Sequence, residues 1–392
     1  MPSATGWWAS DGRVNAALRA GVHALEDAQA MRRAGRELLS LALIDARNHL
    51  LALLAQDESP AALQRAAHAG WYQEVWIARH VQRQRGEACD PRATRLAGID
   101  PRADAWAAGD ETPAPDALRG FLAETLEVTL DLLAGSAEDD AALHFFRLSL
   151  LHEDRLCEAL AEDLRATAPP SRALREPIWL PATRWMLGSA RGGTVPHNER
   201  WAHEVAVPES EIDAQVVNWG QFVEFAADGG YERRALWSDA GWSWLQAGGR
   251  RAPAHVEQLL GGVLVQRRGG LQRAPALQPV VHANRYEAEA WCRWAGRRLP
   301  TEPEWELAAH TAAGRGFVWG DVFEWVAGSA RAWPGAGEAS PGSLDAIPPA
   351  GAQGVLRGAS FATRTRQRHP KARRFAPPER DHLFCGFRSC AL

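Results

Sequence analysis

The chain has 392 residues, 46% of them hydrophobic, and a formal net charge of −4. Such a length and composition can bury a large core, favour two or three domains and exclude intrinsic disorder. The small charge removes the simplest electrostatic case for a nucleic-acid binder or a membrane-surface protein, which leaves small molecules as the expected partners.

The opening stretch MPSATGWWASDGRVNAALRAG has no basic region followed by a long apolar run, and no later segment reaches the roughly 18 apolar residues that a membrane span needs. The expectation is a soluble, cytoplasmic protein with no membrane partner. Five cysteines, Cys89, Cys157, Cys292, Cys385 and Cys390, are scattered and odd in number, which fits a reducing compartment better than a disulfide scaffold. Eighteen tryptophans against three tyrosines is the oddest feature of the composition. Most are expected in packing, because so large a ring is rarely left in water.

Up to about residue 165 the sequence is rich in Ala and Leu, with apolar residues recurring every three or four positions. This predicts amphipathic helices from about Asp11, from Arg36, from Pro60 through Arg85, from Ala117, and from Ala137 to Leu164. Together they read as an antiparallel bundle of about four or five helices. Breakers fall between them at the Ser59–Pro60 pair, in GIDPRADAWAAGDETPAPD from Gly98, and in GSAEDD from Gly135. The stretch ATAPPSRALREP, 166–177, ends the last helix, since paired prolines lack amide donors and exclude the helical conformation before them. It is read as a linker between domains at 1–165 and 178–392. Beyond it Gly, Pro and Trp rise and strands are short. Two helices are predicted there, near Asn218–Ala227 and Tyr286–Gly296, in a half held mainly by turns, loops and aromatic packing.

Two histidines stand out in the helical half: His68 in AAHAGWYQEVWIARH and His152 in LLHEDRLCEAL. Inward faces of different helices meet around a bundle core, which is where metal sites of this architecture are built. A second ligand on the His152 face would be four residues on, at Leu156, and leucine ligates nothing. On the same helix Glu158 and Cys157 are rotated away and His144 is two turns distant. Spacing alone does not separate a metal ligand from a packed core histidine.

The pattern H-x-x-W-x-x-E at His68, Trp71 and Glu74, followed by HEDRLCEA, resembles the DinB-like helical domain of the ergothioneine-type sulfoxide synthases. In that family the second motif is H-x-x-x-H-x-E; His152 and Glu158 match its ends and Leu156 replaces its middle histidine. The second half resembles the formylglycine-generating-enzyme (sulfatase-modifying factor) domain, of C-type-lectin-like fold. The matching segments are PHNERWAHEVAV, FVEFAADGGY, WSDAGWSWL, AEAWCRWAGRRLPTEPEWELAA, WGDVFEWVAG, LRGASFATR and CGFRSC. Within the family the HED tripeptide, RGASFATR and the ending PERDHLFCGFRSCAL are most similar to the selenoneine-synthase branch.

The resemblance implies an α+β chain whose Fe(2+) is held by His68 and His152, with the third ligand position filled by Leu156. It implies O2-dependent C–Se or C–S bond formation between hercynine and a selenosugar or thiol donor. Arg366 lies where a family arginine approaches the donor's anionic end, and its guanidinium fork suits a carboxylate; a solvent-exposed place in a basic run with Arg364 and Arg368 is the other reading. Trp71 and Phe361 are expected to border the quaternary ammonium of hercynine, which favours aromatic faces. Phe361 and Ala362 stand where the relatives carry Trp and Asp, and no tyrosine follows FEW in SARAWPGAG, where the family has a catalytic one. Arg297, Arg298, Glu302, Glu304 and Glu306 read as scaffold ion pairs, and Cys385 and Cys390 as strand cysteines. A catalytically degenerate paralogue that binds hercynine or a protein partner is the alternative motivated by Leu156. Formylglycine generation on a sulfatase peptide would leave the helical half without a purpose.

Overall fold

The computed structural model describes residues 23–392, and the helix expected from Asp11 begins outside them. After a one-turn helix Ala28–Met31, the first half is helical: α1 (Arg36–Leu54), α2 (Pro60–Gln73), α3 (Ala103–Ala108), α4 (Pro115–Ala134) and α5 (Asp140–Leu164). Local chemistry sets these ends. The Ser59 hydroxyl accepts from the Ala62 N–H ahead of a proline in the first turn of α2, and the Asp139 carboxylate accepts from the Ala142 N–H at the start of α5. The apolar stripes of α1, α2, α4 and α5 then close on one another through Leu50, Ala66, Trp106, Leu118, Leu122 and Leu160.

The helix expected from Pro60 through Arg85 is shorter than its pattern suggested. It passes at Glu74–Ala78 into a π-helical turn, where the Arg79 N–H reaches the Glu74 carbonyl at 2.8 Å, and the chain then leaves the axis. Gly86, at φ 51°, completes the departure; a Cβ there would lie 2.7 Å from the Ala141 carbonyl oxygen of α5, so the close approach requires glycine.

Residues 166–177 carry neither helix nor strand. The second half follows with β1 (Ile178–Leu180), β2 (Thr183–Leu187), β3 (His203–Val207), β4 (Ser210–Ile212), α6 (Trp219–Ala227), α7 (Asp239–Gly248), β5 (Val256–Gln258), β6 (Leu264–Arg267), β7 (Gly270–Arg273), α8 (Arg285–Trp294), α9 (Glu302–Thr311), β8 (Phe323–Ser329), β9 (Gly354–Gly358), β10 (Arg373–Ala376) and β11 (Cys385–Phe387). Its main sheet has the order β10-β9-β8-β11, antiparallel except for the parallel β8–β11 pair; β1 pairs with β4, β2 with β3, and β5-β6-β7 form a meander. The two helices not expected, α7 and α9, both start at a capping hydroxyl, Ser238 and Thr301. The tryptophans bear out packing as their main role: Trp219, Trp305 and Trp325 are fully buried. All five cysteines are free and buried. No helix among the described residues is long and apolar enough to cross a membrane.

The charged residues read as scaffold are in ion pairs. Arg298 binds Glu304 at 2.7 Å, while Glu302 and Glu306 receive the buried guanidinium of Arg357 and Glu302 also that of Arg373. Arg388 is fully buried against Glu324. The second half therefore carries several buried arginines, each paired with a carboxylate, in addition to its aromatic core.

Candidate metal pair and the junction between the halves

Helices α2 and α5 bring His68 and His152 together. His68 Nδ1 and His152 Nε2 are 2.8 Å apart, with the ring centroids at 5.0 Å. Burial pushes the pKa of both rings down; for His152 it falls to about 3, with His68 and Arg155 adding to the effect. Both are therefore neutral at pH 7, as ligand imidazoles must be. Tyr72, four residues after His68, lays its ring 4.4 Å from that of His152, and Trp71 lies 5.0 Å from His68 while its indole N–H donates to Asp104 at 2.7 Å.

The contact is a hydrogen bond in which one neutral ring donates to the other; with the donor ring in its other tautomer both lone pairs would face one point and suit a first-row metal. As a protein ligand set the pair is one short: Leu156 packs with Trp71 at the edge of the helical core, and no group of three His, Cys, Asp or Glu side chains that could hold a metal occurs among the described residues. Most neighbouring carboxylates are committed elsewhere. Glu74 accepts from the Ile99 N–H through Oε1 while its Oε2 is buried without a hydrogen-bond partner, and Glu153 is locked to Arg47 and Gln73. Asp154 holds Arg366, and Glu158 accepts from Ser360 and Thr363. Cys157 is buried in the apolar core.

The 329–354 loop reaches this pair from the second half. The Tyr72 hydroxyl donates to the Gly342 carbonyl, and Arg155 binds Asp345 at 2.7 Å. Burial, aided by the Asp345 charge, pushes the Tyr72 hydroxyl well above the usual phenol range, so it stays protonated. Tyr72 is thus the tyrosine that accompanies the histidines, on α2 and not after FEW. Its position four residues from His68 on a helix was the signal in the sequence.

The expected substrate residues fall in two places. Trp71 is beside His68, whereas Phe361 and Arg366 line a cleft of about 650 Å³ at the junction, with Asp45 and His49 of α1 and Ala161 and Leu164 of α5. Neither His68, His152 nor Trp71 lines that cleft. Phe361 stacks on Phe384 at 4.3 Å. Arg366 is not on the surface: it is 4% exposed, grips Asp154 through Nε and Nη2 at 2.8 and 2.7 Å, and reaches Asp45 through Nη1 at 2.6 Å. Its fork is filled by the protein's own carboxylates and clamps the second half to α5 and α1. Sequence reasoning missed these partners because each contact joins residues more than 200 positions apart.

Comparison with known proteins adds two likenesses. Residues 165–321 match the Sulfatase-modifying factor enzyme 1-like domain. The Hercynine oxygenase of Mycolicibacterium smegmatis is 29% identical over 384 residues, covering 82% of this chain and 89% of that protein; that of Mycolicibacterium thermoresistibile is 29% identical over 429 residues, covering 90% and 94%. The Formylglycine-generating enzyme of Streptomyces coelicolor is 33% identical over 187 residues, covering 42% of this chain and 55% of that protein. The likeness to the hercynine oxygenases runs along both halves, whereas the domain match and the likeness to the formylglycine-generating enzyme each cover part of the chain.

Proposed function

We propose that this chain is an oxygenase of the ergothioneine-type sulfoxide synthase kind, acting on hercynine with a selenosugar or thiol donor and using Fe(2+). The observation that carries the reading is the meeting of His68 and His152 across α2 and α5, with nitrogens 2.8 Å apart. Likeness to hercynine oxygenases over most of both chains and the sulfatase-modifying-factor domain support it. In this reading His68 and His152 hold the iron, which when bound brings dioxygen and the chalcogen to one centre so that spin-forbidden chemistry proceeds. The protein's own groups do the rest. The Tyr72 ring packed on His152 fixes that imidazole, and the Gly342 carbonyl in turn holds the Tyr72 hydroxyl. Trp71, whose ring lies 5.0 Å from that of His68, offers the trimethylammonium of hercynine an aromatic face beside the pair. The test is anaerobic reconstitution with ferrous iron followed by hercynine, each donor and O2. A product of joined mass is expected, and no turnover with any donor counts against the reading.

A second reading rests on Leu156. A paralogue that keeps the fold and binds hercynine without turning it over would need no third ligand, and among the described residues no group of three His, Cys, Asp or Glu side chains could hold a metal. Calorimetric hercynine binding by protein that takes up no iron would favour it.

A further inference from the structure

The start of β1 and the turn that follows α9 form an open pocket of about 420 Å³, within the roughly 300–1,000 Å³ range of small-molecule sites. None of its residues lines the junction cleft or belongs to the histidine pair. Arg175, Arg315 and Trp179 stand on its wall. The chain fixes both guanidiniums through backbone carbonyls. Arg315 Nη1 donates to the Trp179 carbonyl at 2.8 Å, and Arg175 Nη1 donates at 3.0 Å to the carbonyl of Gly316, the neighbour of Arg315. Gly316 is needed there for two reasons: its φ is 93°, and a Cβ would lie 2.9 Å from Arg175 Nη1.

A carbonyl orients a guanidinium without neutralising it. That separates these two arginines from Arg357, Arg373 and Arg388 of the same half, each of which faces a carboxylate. Among the described residues neither Arg175 nor Arg315 is in an ion pair, and the Nε and Nη2 groups of each make no hydrogen bond. Nearby carboxylates do not change the balance. Glu176, the one on the wall, is in no ion pair, and Glu211, opposite Trp179 in the β1–β4 ladder, is taken by Arg297 at 3.3 Å. Two positive charges thus stand against one negative. Trp179 is 55% exposed although its neighbours Ile178 and Leu180 are buried, because the alternation of the strand turns its ring outward. The ladder pins its backbone, so the indole and both guanidiniums are flat groups already placed for a ligand.

We propose that this pocket binds a small molecule made of a planar ring and an anionic group, a carboxylate or a phosphate. The anionic group takes the free N–H groups of Arg175 and Arg315, whose fork suits either acceptor, and the ring lies on Trp179. Water screens exposed charges, so the field of the arginines alone would hold an anion weakly, and the ring contact supplies the rest of the affinity. The site lies wholly in the second half and stands whether or not the histidine pair holds a metal.

The test is calorimetric titration of the full chain with adenosine 5′-monophosphate and with benzoate, at ionic strength held constant with chloride. Saturable binding of at least one probe is expected, and the preferred one tells a phosphate from a carboxylate. Ribose 5-phosphate and acetate, which lack the ring, and adenosine, which lacks the anion, should each bind about tenfold more weakly or worse. Arg175→Gln, Arg315→Gln and Trp179→Ala should each weaken the preferred probe about tenfold. All three side chains are exposed, so the variants keep the fold, which circular dichroism verifies. No saturable binding of either probe, undiminished affinity in Arg315→Gln or Trp179→Ala, or equally tight binding of the ringless anions overturns the proposal.

Discussion

Within one turn of α5, neighbouring polar residues have opposite fates. Glu153 and Asp154 face arginines that use their lone pairs, Arg47 on one side and Arg366 on the other. His152, beside them, meets the His68 imidazole and the Tyr72 ring. The carboxylates are saturated by charged partners, whereas the facing nitrogens of the histidine pair are joined only by one neutral hydrogen bond to each other, which a metal could replace. A charged partner ties a buried carboxylate to the fold, while a neutral hydrogen bond between two imidazoles is weak enough to be exchanged for a ligand.

The comparison breaks if the two classes respond alike to substitution. Arg47→Met should have the largest effect, since it strands the buried Glu153 carboxylate and Gln73; a loss of about 3–5 kcal/mol in urea unfolding is expected. Asp154→Asn removes one charge of the clamp while Asp45 still holds Arg366, so about 2–3 kcal/mol should be lost. His68→Asn, in contrast, should cost less than about 1 kcal/mol while abolishing metal uptake. A cost as large as that of Arg47→Met would make the pair a structural element after all.

Acid should sharpen the same contrast. Burial holds His282 and His369 at a pKa of about 3 and His144 at about 4. Because these folded values lie below the ordinary one, the unfolded chain takes up protons first. Stability is complete above about pH 6.5 and falls as the pH drops towards 3–4, by about 2 kcal/mol per group at pH 5. A Tm that is flat between pH 7 and 5 would contradict this. In the second half, Thr301→Ala removes the reciprocal cap with Glu304 and should cost about 1 kcal/mol, seen as a lower denaturation midpoint.

Much of the helical half was legible because its stripes are long and regular: α1, α4 and α5 begin within a few residues of where the 3.6-residue period places them. The overlong α2 failed where periodicity fades after Ile77 and Gly86 takes a left-handed turn. Helices α7 and α9 are only ten residues each and their apolar faces are interrupted, yet S-x-x-G at Ser238 and T-x-x-E at Thr301 were readable caps. At the site, the types and faces of His68, His152 and Leu156 could be read from the sequence. The partners of Arg366, Arg155 and Glu158 could not, because long-range pairing is decided by how the halves dock and leaves no mark in local spacing.

The central claim is that His68 and His152 form a working pair of metal ligands with a vacancy at Leu156. Anaerobic ferrous-iron titration of the wild type, His68→Ala and Leu156→His tests it most directly. The prediction is about one iron per chain in the wild type, none in His68→Ala, and roughly tenfold or tighter binding in Leu156→His. No iron in the wild type together with none in Leu156→His, or undiminished iron in His68→Ala, would contradict it.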